Sequence, residues 1–184
     1  MLNHKILLAA ALGVATMGLS ACTTLSRGPI GNVAVPQPNK PVELTRYLSL
    51  WYEFARYENG FEKDCEAVTA TYSRRDDGMI AVRNTCRKGA VDGAEKIANG
   101  KAKILPDSGG AKLKVSFFGP FYGDYWVLDH ADDYSWSIVG EPSGRYLWIL
   151  TRKSRPDGSL ATALIRRAGT LGYEEKLIRL TQQK

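Results

Sequence analysis

The sequence is poor in the residues that build most metal and nucleophilic centres. Its 184 residues hold 3 Cys and 2 His. That is too few for a zinc-cluster protein. No CxxC, HExxH, EF-hand loop, Walker-type or Gly-x-Gly-x-x-Gly pattern occurs. There is no internal repeat of fixed period and no low-complexity segment. Long apolar runs are also scarce: the one sustained stretch covers residues 6–19, shorter than the roughly 20 residues a spanning helix needs. This argues against a chain that crosses a membrane several times in helices. Hydrophobic residues make up 44% and charged residues 24%, ordinary globular values that exclude a disordered or collagen-like chain. The length fits one domain able to bury a core.

What is present begins at the N-terminus. Lys5 precedes the apolar stretch, and Leu19-Ser20-Ala21-Cys22 follows it. This is the layout of a signal peptide over residues 1–21. Its last four residues resemble a bacterial lipobox, whose Cys is acylated with diacylglycerol and becomes the new N-terminus. Cys22 is therefore expected to carry a lipid anchor, with several acyl chains making attachment stable. Thr23 follows the Cys where an inner-membrane lipoprotein tends to have Asp, which resembles the outer-membrane pattern. Removal of the first 21 of 184 residues leaves 163, with Cys65 and Cys86 as an even pair and His130 as the single histidine. Two cysteines in an oxidising compartment read as one disulfide. Residues 22–43 contain Pro29, Gly31, Pro36, Pro38 and Pro41 and are expected to form an extended, mobile tether.

From residue 44 the pattern is strand, turn, strand. With 9 Tyr, 4 Trp, 5 Phe and 18 Gly, the composition favours short strands joined by tight turns. Strands are predicted over 51–57, 66–73, 79–86, 95–105, 111–118, 123–130, 134–140 and 145–152. Turn signals separate them, including Asp76-Asp77-Gly78, Asp107-Ser108-Gly109-Gly110 and Glu141-Pro142-Ser143-Gly144. Eight antiparallel strands is the number that closes a small barrel. After Pro156-Asp157-Gly158 the period changes: Leu160, Leu164, Ala168 and Leu171 share one helix face, with Ser159 or Asp157 as the cap and Gly172 as the stop. A last short strand is predicted over 176–181. If residues 66–86 form a hairpin, opposed residues have numbers summing to about 151, so Cys65 faces Cys86; a register shift of one at the turn moves both out of opposition.

Three blocks carry a resemblance. The first is Ser49-Leu50-Trp51-Tyr52-Glu53-Phe54-Ala55-Arg56-Tyr57, the second Leu113-Lys114-Val115-Ser116-Phe117-Phe118-Gly119-Pro120-Phe121-Tyr122-Gly123, and the third Tyr146-Leu147-Trp148-Ile149-Leu150-Thr151-Arg152. Together they resemble the lipocalin family, and more narrowly its bacterial outer-membrane lipoproteins and the related apolipoprotein D group. One departure is Ser49, which stands where the family's Gly-x-Trp signature has Gly. The resemblance implies an all-β fold: an eight-stranded antiparallel up-and-down β-barrel, closed at one end and open at the other, with one flanking C-terminal α-helix over a domain of residues 44–184. It implies that Trp51 plugs the closed end and that Arg152 packs across it by a cation–π contact. It further implies ligand contacts at Tyr122 and Trp148. Tyr146 shares strand parity with Trp148, and Phe61 and Phe118 lie near the open end.

The implied ligand is a fatty acid or lysophospholipid, carried or stored at the outer membrane. A tyrosine hydroxyl would fix its carboxylate or phosphate head. No cofactor and no metal are expected. A catalytic apparatus needs a positioned imidazole, and the single candidate, His130, is expected to be a solvated loop residue. The alternatives are a barrel enzyme acting on a bound lipid and a structural envelope protein with a filled barrel. Basic residues are spread along the chain, and nucleic acid is not expected as a partner. The family includes homodimers, which leaves a dimer open.

Overall fold

The computed structural model describes residues 29–184. The expected signal peptide and Cys22 lie outside the described residues. Nine strands form in chain order: β1 (Ser49–Tyr57), β2 (Cys65–Arg74), β3 (Ile80–Lys88), β4 (Glu95–Ile104), β5 (Lys112–Phe118), β6 (Phe121–His130), β7 (Trp136–Gly140), β8 (Leu147–Thr151) and β9 (Ile178–Leu180). A short helix α1 (Leu44–Tyr47) leads into β1, and α2 (Gly158–Thr170) follows β8. Consecutive strands pair antiparallel from β2 through to β8, and β8 pairs with β1. The circuit closes because Ser49 to Tyr52 of β1 pair with Tyr72 to Thr69 of β2. This is a closed eight-stranded barrel, the architecture expected from the strand count.

The period-two pattern of each strand decides what lies inside. Val68, Ala70 and Tyr72 alternate inward along β2, and Ile80 and Val82 along β3. Ala70, Tyr72, Ile80 and Val82 pack with Trp51, Leu113, Val127 and Val139 in one cluster within the closed half of the barrel, while Val68 packs with Cys65 and Cys86. A second cluster forms outside the wall, where Ile138, Leu147 and Ile149 meet Leu164, Ala168 and Tyr173. The helical face predicted from the 3.6 period is the one buried. Of the two predicted caps, Asp157 serves: its side chain accepts from the Leu160 N–H at 2.9 Å.

The C-terminal segment closes a seam. β1 diverges from β2 beyond Tyr52, and β9 fills the gap by pairing Ala55 with Leu180 and Tyr57 with Ile178. Beyond it, Gln183 Nε2 donates to the carbonyls of both Glu53 and Val68, each at 2.9 Å, so one side chain bridges β1 and β2.

Two sequence expectations need correction. The β2–β3 hairpin pairs Tyr72 with Val82 and Thr69 with Thr85, three residues off the expected register, and Cys65 stands opposite Lys88. Cys65 and Cys86 are nevertheless bonded, with their Cα atoms 5.4 Å apart. The pairing is irregular between Glu66 and Thr69, and Ala67 there has φ +46°. A bulge of this kind bends the strand and re-aims its side chains, which lets two residues out of direct opposition meet.

The second correction concerns the tether. Residues 29–43 are extended as expected, but they are fastened to the barrel at both ends. Gly31 and Asn32 donate their amides to the Gly144 carbonyl at 3.0 and 3.2 Å, and Asn32 Nδ2 donates to the Leu171 carbonyl at 2.9 Å. At the other end the Val42 amide donates to the Gly109 carbonyl at 2.8 Å, and Lys40 Nζ meets Asp132 at 2.5 Å. The first fastening needs glycine. Gly144 has φ +66°, and a Cβ there would sit 1.7 Å from the Asn32 carbonyl oxygen.

Candidate functional site

The closed end is built around Trp51, which is fully buried. Its indole N–H donates to the Tyr47 carbonyl at 2.8 Å. The Arg152 guanidinium lies over the indole at 3.7 Å from the ring centroid. It also donates to the carbonyls of Leu50, Arg46 and Leu48 at 2.6, 2.8 and 2.9 Å. Those carbonyls belong to the last turn of α1 and the start of β1, so Arg152 seals the end by satisfying them while stacking on the plug. Ser49, in the glycine position of the signature, has φ +81°.

His130 does not stand in a solvated loop. It is 3% exposed at the end of β6, its ring stacks on Tyr134 at 4.4 Å, and the strap at Pro41 covers it. Both ring nitrogens face carbonyl oxygens, those of Ala131 and Pro41. It lies at the closed end, outside the lining of the cavity.

The open half of the barrel holds a cavity of about 860 Å³. A small inner space of about 50 Å³ continues toward the closed end past Tyr125 and Trp148. The larger volume falls within the 300–1,000 Å³ range of small-molecule sites. All five residues expected to contact ligand, Tyr122, Trp148, Phe61, Phe118 and Tyr146, border it. Four rings form a ladder down one wall. Phe61 stacks on Tyr146 at 5.6 Å, Tyr146 on Trp148 at 5.7 Å, and Trp148 on Tyr125 at 6.5 Å. Phe118 and Phe121 form the opposite rim, 82% and 78% exposed.

Tyr122 stands at the rim of the cavity. On β6 the parity of Tyr125 and Val127 points into the barrel, and Tyr122 has the other parity. Lys103, beside the inward Ala102, holds its ammonium 5.1 Å from the Tyr122 ring. Tyr122 therefore edges the rim from outside, and Tyr125 is the tyrosine that faces the interior. Alternation along β6 could have found Tyr125 in the sequence, because Val127 is the apolar inward neighbour two residues on.

The floor is polar. Tyr72 and Tyr125 share a hydroxyl bond of 2.9 Å, Tyr125 and Tyr47 one of 3.0 Å, and Tyr47 and Ser137 one of 3.1 Å. Burial raises all three phenols, Tyr47 to about 12 and Tyr72 and Tyr125 well above the ordinary value. They stay protonated and offer no general base near neutral pH. Asn84 Oδ1 is buried without a protein partner and borders both spaces.

Several ionisable residues in the lining were not anticipated, among them Glu53, Glu62 and Lys96. Glu62 Oε2 accepts from the Trp148 indole N–H at 3.0 Å and from Asn59 Nδ2 at 2.5 Å, so a carboxylate sits against the ladder. Lys96, across the mouth, has its ammonium on the Phe61 carbonyl at 3.0 Å. Deeper, Glu53 borders the inner space and pairs with the fully buried Arg56 at 2.7 Å. Burial, then the nearby Glu62, pushes the Glu53 carboxyl up to about 8 against the pull of Arg56. Glu62 lies in the first loop, Glu53 on β1 and Lys96 at the start of β4, where no periodic pattern marks a pocket. Among the described residues no group of three or more His, Cys, Asp or Glu is placed to hold a metal ion.

The profile of the Lipocalin-like domain family matches residues 42–183. The chain is a lipocalin. It is 37% identical over 172 residues to the outer membrane lipoprotein Blc of Vibrio cholerae serotype O1, covering 90% of this chain and 97% of that one. It is 44% identical over 130 residues to the protein of the same name from Escherichia coli (strain K12), covering 65% of this chain and 72% of that one. Among solved structures, insecticyanin from the tobacco hornworm Manduca sexta superposes with a TM-score of 0.65 at 19% identity, over 86% of this lipocalin and 88% of that chain. That likeness speaks for the fold alone.

Proposed function

We propose that this lipocalin is an outer-membrane-anchored carrier or store for a fatty acid or lysophospholipid, lipidated at Cys22 after removal of residues 1–21. The observation that carries the reading is the open cavity with its ladder of Phe61, Tyr146, Trp148 and Tyr125. An acyl chain laid along these rings leaves water at about 0.8 kcal/mol per buried CH₂. The relatives named outer membrane lipoproteins support the address. The charges favour one pose. Glu62 borders the inner space, and Lys96 is the one cation among the described residues lining the mouth, beside Asp124 and Glu141, so an anionic head belongs outward beside Lys96 and the tail inward. This replaces the expected tyrosine hydroxyl as the head-group contact. Binding, not covalent chemistry, is the proposed activity: the interior phenols are held protonated and His130 stands at the far end.

Displacement of a fluorescent fatty acid, read alongside native mass spectrometry of the complex, tests the proposal. Trp148→Ala removes the centre of the ladder and is expected to weaken binding about 10–100-fold, the equivalent of about 1–3 kcal/mol. No displacement by any fatty acid or lysophospholipid, with no change in Trp148→Ala, overturns the reading.

A further inference from the structure

The described part of the chain begins at Pro29, and its first residues lie at a definite place on the barrel. Gly31 and Asn32 are bonded to Gly144, in the turn between β7 and β8. The Tyr57 hydroxyl, at the end of β1, donates to the Gly31 carbonyl at 3.2 Å. In an up-and-down barrel the β7–β8 turn, the β5–β6 turn and the end of β1 share one rim, and here it is the open one. The strap then runs the height of the wall to Val42 at the closed end. The chain toward Cys22 therefore leaves from the mouth.

Length turns this into an orientation. Seven residue-to-residue steps lead from Cys22 to Pro29, and fully extended they reach at most about 25 Å. A nine-residue strand such as β1 spans about 30 Å. A lipid attached at Cys22 thus keeps the mouth nearer the membrane than the closed end.

The mouth is chemically suited to that position. Residues 115–123 carry no charge. Phe118 and Phe121 pair directly at the tip of the β5–β6 hairpin. They are 82% and 78% exposed, and Phe61 and Ile97 on the same rim are 55% and 47% exposed. Exposed apolar residues grouped on one rim mark an interaction surface. The acidic and basic residues of the mouth turns are mixed, which favours apolar contact over attraction to head-group charge.

We propose that the open mouth docks on the lipid surface, with Phe118, Phe121 and Phe61 entering the acyl boundary and the strap at Gly144 fixing that orientation. The cavity then opens into the bilayer that supplies or receives its ligand. This rests on the reading of Cys22 as lipidated.

The full lipidated chain, reconstituted in phosphatidylethanolamine–phosphatidylglycerol vesicles with brominated acyl chains, tests it. A tryptophan is placed at the mouth by Phe121→Trp or at the closed end by Ile104→Trp. The added fluorescence of Phe121→Trp is expected to shift to the blue and to be quenched at least about fivefold more than that of Ile104→Trp. Gly144→Val in the Phe121→Trp chain, checked for native near-ultraviolet dichroism, is expected to reduce that quenching at least twofold by releasing the strap. Equal quenching at both ends, or none above the parent, overturns the proposal. So does an unacylated Cys22 in the mass spectrum. Self-association through the rim, seen by sedimentation together with an unquenched Phe121→Trp, assigns the patch to a second copy instead. Quenching reports orientation with no ligand present. Preferential quenching at the mouth therefore upholds docking even where fatty-acid displacement fails, and that failure then counts against the carrier reading alone.

Discussion

Ser49 holds the left-handed conformation that the signature glycine would adopt without cost. For a residue with a Cβ that conformation costs about 1–2 kcal/mol, while glycine loses roughly 0.5–1 kcal/mol through chain entropy. Ser49→Gly is therefore expected to stabilise the fold by about 0.5–1 kcal/mol, seen as a higher urea midpoint with an unchanged slope. Glu53 makes a different prediction. Its carboxyl is raised from 4.5 to about 8 by burial. The folded state therefore keeps a proton that the unfolded chain releases above pH 4.5. Its contribution is complete below that pH and is lost as the pH climbs to about 8. Stability should fall across this window, and Glu53→Gln should flatten the fall in urea titrations at a series of pH values. Asp77, Asp132, Asp133 and Asp157 are lowered instead, so their losses come in a separate, more acid range.

At the scale of elements, α2 depends on its first turn more than on propensity. Asp157 Oδ1 accepts from Leu160 N–H at 2.9 Å and from Ser159 Oγ at 2.5 Å. Asp157→Ala should cost about 1 kcal/mol, read by thermal unfolding, with fatty-acid displacement unchanged because the helix lies outside the wall. This helix was legible in the sequence because Leu160, Leu164 and Ala168 keep one face, and the structure buries that face. The strands were legible because their alternation is strong and their turns carry Gly, Asp and Pro. The β2–β3 register was not. It is set at the turn, where Arg74 pairs with Ile80 across residues 75–79, and the bulge at Ala67 and Val68 shifts it by one.

The whole molecule is closed by its own end. Gln183 joins β1 to β2 by donating to a carbonyl on each, where the two strands have separated too far to pair directly. Gln183→Ala should lower stability by about 1–3 kcal/mol by leaving buried acceptors unpaired. Hydrogen exchange should rise along β1 and β2 before it rises elsewhere. The same scale separates two kinds of information. Period, turn chemistry and the signature blocks determined the barrel, its flanking helix, the Trp51 plug under Arg152 and the aromatic wall, because each is written in local spacing or in a short motif. Only the tertiary structure decided that Glu62 meets Trp148, that His130 is covered, and that the strap leaves from the mouth. Those contacts join residues that lie far apart in the chain, and no local pattern encodes which of them meet when the sheet closes.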